Sequence, residues 1–495
     1  MAADTHNKSL VVGLSVIAAL GGLLFGYDTA VISGAVGAID ANFIDPWNFA
    51  EGLKGWVSGL TIASALIGCI IGGATGGLIG DRFGRRGGLI VAAAMFLICS
   101  LGSAWPEFGW GMHGRDALIP FNLYRIIGGV GVGLASMLAP LYIAEITPPK
   151  TRGMMVTFQQ FGIVTGILVA YFVNAIIARQ GDVGLVWTGL IHPGSIPQVD
   201  PVYMNTTAWR WMFAAEAVPS ILLFVLMLPA PDTPRWLVLK GRDEQANSVL
   251  ARIADAVQAK AVLKEIEESL AQKSEPLFTF GALVVTVGVL LSVFQQFVGI
   301  NAVMYYAPLM FKNMGGTDDP LIMTVITGAA NVAFTLVATF TVDRLGRKPL
   351  LIAGALVMAV SMLSLGGLFY VHDKGGLSFA AVLLYVAGFA FSWGPIVWVL
   401  LAEIFPNPIK GKAMALAVAA QWIANLFVTV TFKVLNESAW LTAHFNHGFA
   451  YFLYGGCSVL AALFVWKYVP ETKGRSLETM QHLWSRKGGA QSRAA

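Results

Sequence analysis

Charge is scarce in this chain. Of 495 residues only 12% are Asp, Glu, Lys or Arg, about half the share usual in soluble proteins, while 56% are hydrophobic. A surface with so little charge cannot face water throughout, which excludes an ordinary soluble globular protein. Cysteine is nearly absent: Cys69, Cys99 and Cys457 all fall in apolar runs and read as small buried hydrophobes rather than a disulfide framework. The seven histidines are scattered, with only His444 and His447 close together in a loop, so no metal site is expected. No nucleophile, base and orienting partner can be assembled, nor any phosphate loop, which argues against an enzyme. No basic patch is interleaved with aromatics, so a net charge of +4 is no sign of a nucleic-acid partner.

What the chain does have is long apolar runs. Crossing about 30 Å of hydrocarbon takes roughly 20 apolar residues in a helix. About twelve such runs can be counted, near 9–38, 55–80, 88–105, 121–144, 153–178, 208–230, 278–312, 320–342, 349–371, 377–404, 412–435 and 447–469. Lipid satisfies no backbone group, so the expectation is an all-α membrane protein of twelve transmembrane helices. The first run, Leu10 to Ile39, lacks a basic n-region and carries Asp28, and it reads as a retained helix rather than a signal peptide.

The chain also repeats itself. Asp81-Arg82-Phe83-Gly84-Arg85-Arg86 returns 262 positions later as Asp343-Arg344-Leu345-Gly346-Arg347-Lys348, and Glu145 with Arg152-Gly153 returns at 258 as Glu403 with Lys410-Gly411. Two landmarks at nearly one offset imply two pseudo-symmetric six-helix bundles. We divide the chain into 1–230, a linker at 231–276, 277–470 and a tail at 471–495. Helical spacing of Val249, Leu250, Ile253, Val257, Leu263 and Ile266 places a helix over Gly241 to Lys273. It is either a solvated connector or a helix packed under the bundle. The loops bearing Arg82, Arg85, Arg86, Lys150, Arg152, Arg344, Arg347, Lys348, Lys410 and Lys473 share one side, which the positive-inside rule makes cytoplasmic, along with both termini.

Ionisable groups inside a membrane cost roughly 3 kcal/mol or more each, so those retained pair, line water or move protons. Asp28, Arg125 and Glu216 are the clearest three, all in the first half. A carboxylate facing a guanidinium stays ionised until the Arg withdraws or another acid approaches, which would make a proton switch. The alternative is a static pair that fixes helix packing. The second half holds Gln295, Gln296, Asn301, Tyr305, Asn331, Trp398, Gln421 and Trp422 instead. Amides both donate and accept, and an indole offers a flat apolar face, a combination suited to a neutral ligand rich in hydroxyls. Alternatively, the amides bond only between helices. On a straight helix Gln295 and Asn301 would point about 240° apart, so convergence requires unwinding at Gly299. Asp81, Arg85, Arg86, Glu145, Arg152, Asp232, Asp343, Arg347, Glu403 and Lys410 can form charge clusters that would latch the inner mouth.

At these residues the chain resembles the sugar porter family of the major facilitator superfamily. The likeness rests on the two hexapeptides, Pro231-Asp232-Thr233-Pro234-Arg235-Trp236-Leu237, Gln295-Gln296-Phe297-Val298-Gly299-Ile300-Asn301 and Pro470-Glu471-Thr472-Lys473-Gly474, in that order along the chain. The resemblance implies the major facilitator fold and a monosaccharide contacted by Phe25, Gln160, Ile167, Gln295, Gln296, Asn301, Tyr305, Asn331, Gly394, Trp398, Gln421 and Trp422. It implies a proton site at Asp28 with Arg125 and Glu216, and adds Glu471 to the inner clusters. Ile167 stands where xylose symporters of the family carry Gln, Met304 replaces another bulky apolar residue, and Lys410 stands in place of Arg. The expected activity is sugar:proton symport across the cytoplasmic membrane, driven by the proton gradient without a bound cofactor, by a monomer in the lipid bilayer. A proton-independent facilitator and a non-transporting sensor are the alternatives, and Asp28 argues against the facilitator.

Overall fold

Runs too long for one crossing fold back at glycine. Helix α1 (Lys8–Ile39) crosses once, and α2 (Glu51–Ile62) leads into α3, which covers the 41 residues Ser64–Ala104. At about 1.5 Å per residue α3 would extend about 60 Å, twice the hydrocarbon thickness, if it were straight. It is broken at Gly84, whose φ of 85° and ψ of 165° leave the helical region, so it supplies two crossings. Helices α4 (Leu118–Ile146) and α5 (Arg152–Ala178) follow, then a short α6 (Val183–Ile191), and α7 (Trp209–Ala215) and α8 (Ala217–Met227) complete the sixth crossing.

This computed structural model describes residues 8–147, 152–192, 194–253, 275–315, 318–372 and 375–473, with 259, 262–264, 266 and 484. The second half runs through α11 (Ala282–Phe297), α12 (Ile300–Met314), α13 (Pro320–Leu345), α14 (Arg347–Tyr370), α15 (Gly376–Ala390), α16 (Trp393–Ile404), α17 (Asn407–Glu437), α18 (Ala439–Phe445) and α19 (Phe449–Tyr468). Between the halves lie α9 (Pro234–Leu239) and α10 (Asp243–Ile253). Eleven stretches among the described residues are long and apolar enough to cross a membrane, and the break in α3 makes twelve crossings of them. The short α6 and α18 were not expected from the apolar runs.

The linker packs under the first half. Ala246, Val249, Leu250 and Ile253 of α10 bury with Trp236 and Leu237 against Val11 at the start of α1, and Ala259, Val262 and Leu263 join them. The expected helix beyond Ile253 otherwise lies largely outside the described residues.

The duplication is visible in single dihedrals. Gly346, between α13 and α14, has φ 92° and ψ 163°, nearly those of Gly84. Both glycines lie at one end of the bundle, the hexapeptide end, and the chain turns after Ile39, Ala178 and before Pro320 lie at the far end. At each hexapeptide a carboxylate occupies the space where a Cβ would stand, that of Asp232 at Gly84 and that of Glu471 at Gly346. Gly84→Ala is therefore expected to cost about 1–3 kcal/mol from the left-handed φ, with displacement of Asp232 added. Thermal unfolding of the solubilised protein should show a lowered midpoint for it, and an unchanged or slightly raised one for Gly411→Ala, which lies within a helix and whose Cβ would meet nothing.

Candidate functional site

Two polar constellations face each other across the membrane interior. In the first half, Arg125 of α4 places Nη1 2.5 Å from Asp28 Oδ1 of α1 and Nη2 3.3 Å from the Asp28 carbonyl, both side chains being 1% exposed. The guanidinium also lies over the Phe213 ring, 5.5 Å from its centroid. Glu216, where α7 passes into α8, is fully buried, and neither carboxylate oxygen has a hydrogen-bond partner among the described residues. One of its oxygens lies within 4.8 Å of both Asp28 and Cys99. Cys99 was not among the expected site residues, yet its Sγ is 3.8 Å from Asp28 Oδ1 and from Arg125 Nη1. Its signal in the sequence was only that of a thiol in an apolar run. Arg125 already supplies the positive charge here, so Asp28, Cys99 and Glu216 are poorly suited to a metal cation.

The second half builds the pocket. Gly299 takes φ +95° and separates α11 from α12, the unwinding that convergence of Gln295 and Asn301 required. Tyr385 donates to the Val298 carbonyl freed by the break, at 2.8 Å. Beyond the break Asn301 Nδ2 reaches Gln296 Oε1 at 2.5 Å, while Gln295 Nε2 donates to the Trp393 carbonyl at 2.9 Å. A second interruption, at Ser392 between α15 and α16, was not foreseen; it exposes the carbonyls of Trp393 and Gly394 to Gln295.

All twelve residues expected at the ligand line one void: Phe25, Gln160, Ile167, Gln295, Gln296, Asn301, Tyr305, Asn331, Gly394, Trp398, Gln421 and Trp422. The cavity is about 100 Å³, a narrow void below the roughly 300–1,000 Å³ of small-molecule pockets. Phe25 and Trp422 close it from opposite halves with ring centroids 5.6 Å apart. The amides thus do more than join helices. Gln421 Oε1 and Trp422 Nε1, an acceptor and a donor on two lining residues, are buried with no protein partner among the described residues. Asn425, one of the second-half amides suited to such a ligand, lines it as well, and so do Thr29, Thr335 and Phe389, which were not expected there. The signal for Thr29 was its place beside Asp28.

A family model described as "Sugar (and other) transporter" matches residues 14–484. The chain belongs to the sugar transporter family. It is 49% identical over 492 residues to the D-xylose-proton symporter of Escherichia coli (strain K12), spanning 97% of this chain and 96% of that protein. Identity to the glucose facilitated diffusion protein of Zymomonas mobilis subsp. mobilis is 44%, over 97% of this chain and 98% of that one. Among solved structures, the inward open conformation of the xylose transporter XylE from E. coli matches with a TM-score of 0.84 at 47% identity, covering 96% of this chain and all of that one. The fold is accordingly that of the major facilitator superfamily.

In this member of the sugar transporter family, the hexapeptide clusters are two matching assemblies. Arg85 contacts Glu145 at 3.1 Å and Asp81 at 3.1 Å, and Arg347 contacts Glu403 at 3.0 Å. Asp232 accepts from the backbone N–H groups of Arg85, Arg86 and Thr233, while Glu471 accepts from those of Arg347, Lys348, Thr472 and Lys473. Thr233 and Thr472, not singled out from sequence, close the assemblies by donating to Glu145 at 2.5 Å and Glu403 at 2.6 Å.

Two expectations need correction. Arg86 does not pair with a carboxylate through its side chain: it donates to the carbonyls of Met227 and Leu228, capping the sixth crossing, as Lys348 Nζ caps the twelfth at the Trp466 carbonyl, 2.7 Å away. The ion pairs of these clusters among the described residues each join helices of one half. Lys410 forms no ion pair among those residues, its amine lacking the reach and fork of Arg. The side chains of Arg152 and Asp343 lie outside the described residues.

Burial raises the Asp232 carboxyl, and its N–H bonds only partly offset this; at Glu471 burial also pushes upward, but four N–H bonds outweigh it and the net direction is down. A depressed carboxyl contributes stability above its ordinary value near 4.5 that is lost as pH falls through the folded value, and a raised one does the reverse. Glu471→Gln should therefore lower the unfolding midpoint at pH 7, with the deficit shrinking below about pH 4.5. Asp232→Asn, which keeps an acceptor for the N–H groups, should leave the midpoint unchanged or raise it at pH 7. Thermal unfolding of both variants across pH 4–8 checks the contrast.

Proposed function

We propose that the chain is a sugar:proton symporter that imports a neutral monosaccharide by alternating access, with the proton gradient as its driving force and no bound cofactor. Sugar transport itself follows from membership of the family and from close relatives that carry xylose, arabinose and galactose with a proton. The observation that carries the proton reading is the Asp28–Arg125 pair on α1, less than one turn from pocket-lining Phe25 and adjacent to Thr29. Protonation of Asp28 would release Arg125, and sugar bound between Phe25 and Trp422 would feel the resulting shift of α1. A ligand moves a conformational equilibrium only by its differential affinity for the two states, so coupling requires such a shared element.

The hexapeptide end is cytoplasmic in this reading, with both termini there, in the inner membrane of the cell. The four segments 1–230, 231–276, 277–470 and 471–495 are its units, and one chain suffices, since pocket and proton site are both internal. The class of substrate is a hexose or pentose such as glucose, galactose or xylose. Ile167 and Met304 give the pocket an apolar wall that favours sugars with a carbon substituent to lie against it over those with a hydroxyl there. A second reading, proton-independent facilitation, is favoured by the 44% identical glucose facilitated diffusion protein.

Comparing Asp28→Asn with the wild type separates the two. In proteoliposomes the variant should retain sugar exchange while losing uphill accumulation driven by a pH gradient; uphill uptake by the variant at the wild-type level would put the coupling proton on another residue, and a wild type that never accumulates sugar uphill would be a facilitator. Wild-type vesicles in weak buffer should alkalinise externally when D-glucose or D-xylose is added; a facilitator would leave the pH unmoved. Trp422→Phe preserves the ring against Phe25 and removes the Nε1 donor, so titration calorimetry should show affinity for the preferred sugar lowered by about 0.5–1.5 kcal/mol.

A further inference from the structure

Among the described residues, charges join the two halves at the far end only. Arg179, just past α5 in the first half, places Nη2 2.7 Å from Asp319 Oδ2, where α13 of the second half begins. Lys433, in the last turns of α17, places Nζ 2.7 Å from Asp40 Oδ2 at the end of α1, and 2.8 Å from Glu437. The Arg179, Asp319 and Lys433 side chains are 3%, 7% and 3% exposed. Around these pairs the halves are in backbone contact: a Cβ on Gly59 of α2 would stand 2.9 Å from the Val430 carbonyl oxygen of α17, and one on Gly55 would stand 3.2 Å from Val434 Cα. Tyr171 of α5 donates to the Met304 carbonyl of α12 at 2.7 Å. At the hexapeptide end, by contrast, every ion pair among the described residues stays within one half.

The geometry points to Arg179–Asp319 and Lys433–Asp40 as the outer gate joints, pairs made when the far end closes and broken when it opens. The inference rests on the alternating-access reading above. Its physical basis is the near balance of a buried ion pair, in which the attraction roughly repays the desolvation of both charges. A joint of that kind adds little net stability and so can open again. It penalises closure in any other register, because each misplaced charge would be stranded without water. Two joints on opposite sides of the pocket define a single closed geometry. Each acid is also tied locally: Asp319 Oδ1 caps α13 by accepting from Leu321 and Ile322, and Asp40 Oδ1 accepts from Ser58 at 2.5 Å. The acids are thus fixed before the basic partner arrives.

Asp319→Asn and Asp40→Asn keep those local acceptors and delete only the charge. Asp319→Asn should strand the buried Arg179 cation in the closed state, and Asp40→Asn should leave Lys433 with Glu437 alone, so both should drive the far end open, the first more strongly. Hydrogen exchange on the sugar-free full-length protein in nanodiscs reads this. Peptides covering 51–62 and 430–437 should exchange faster, and those covering 81–90 and 343–350 slower. The expected change in the open-to-closed ratio is at least about tenfold, about 1.4 kcal/mol. The double variant R179Q/D319N has no stranded charge and should lie within about threefold of the wild type. Unchanged exchange in both single variants, a uniform rise at both ends with a lowered unfolding midpoint, or a double variant as shifted as D319N would each overturn the inference. Wild-type vesicles that neither take up nor exchange D-glucose or D-xylose would overturn the carrier reading itself. Normal uptake with unaltered exchange patterns in the variants would overturn the gate joints alone.

Discussion

A bilayer offers no water to a buried polar group, so each such group must find a partner in the protein or be held for a ligand or a proton. That constraint explains where polar residues stand in this chain. Most hydroxyls on the crossing helices donate to a carbonyl one turn back, as Thr327 and Ser361 do. Tyr385 serves the carbonyl freed by the break at Gly299, and Trp393 serves that of Leu351. Against this background the exceptions are informative. Glu216 beside Asp28 and Gln421 Oε1 and Trp422 Nε1 of pocket-lining residues are buried without a protein partner among the described residues, as are Gln159 and the Tyr454 hydroxyl, which do not line the pocket.

The same constraint divides the labour of the charges. Within each half, Arg85 or Arg347 gathers carboxylates and helix ends from three crossings into one assembly, closed by Thr233 or Thr472. Arg85–Glu145 is buried and Arg347–Glu403 partly so, and each cluster is held as well by backbone N–H bonds to Asp232 or Glu471. Six helices braced in this way move as one body. Pairs that cross between the bodies are different in kind, for they exist only in a conformation that brings the bodies together. Arg179–Asp319 and Lys433–Asp40 are of this second sort, and the tight packing of Gly55 and Gly59 on α17 accompanies them.

Much of this was legible in the sequence because duplication and lipid both leave strong marks. The repeated hexapeptides gave the two-body plan, and matching dihedrals at Gly84 and Gly346 are its physical expression. The amides and indoles of the second half were legible because such groups at lipid depth have few other uses, and Gly299 betrayed the unwinding, whereas Phe25, Gln160 and Ile167 of the first half were expected only from the family resemblance. What was not legible depends on distance across the fold. Cys99 looked like any apolar-run thiol until α3 set it against Asp28. Thr233 and Thr472 are common residues whose role exists only once Glu145 and Glu403 approach. Arg86 reads as one more basic side chain, yet where it points is decided by the end of the sixth crossing. Asp40, Arg179, Asp319 and Lys433 sit in ordinary positions near helix ends, and only the closure of the far end pairs them.

Helix α1 is where these arrangements meet. Over less than one turn it presents Phe25 to the pocket, Asp28 to Arg125 and Thr29 to the pocket again, and at its far end Asp40 meets Lys433 of the other half. In the proposed cycle a proton on Asp28 would change the force on the middle of this helix, sugar would change the packing of Phe25 on Trp422, and closure of the far end would fix Asp40. None of the three sites needs a long chain of intermediaries, since a rigid helix of 32 residues carries all three. Reciprocity follows: whatever occupancy of the pocket does to the hold of Arg125 on Asp28, loss of that hold does to the affinity of the pocket by the same factor.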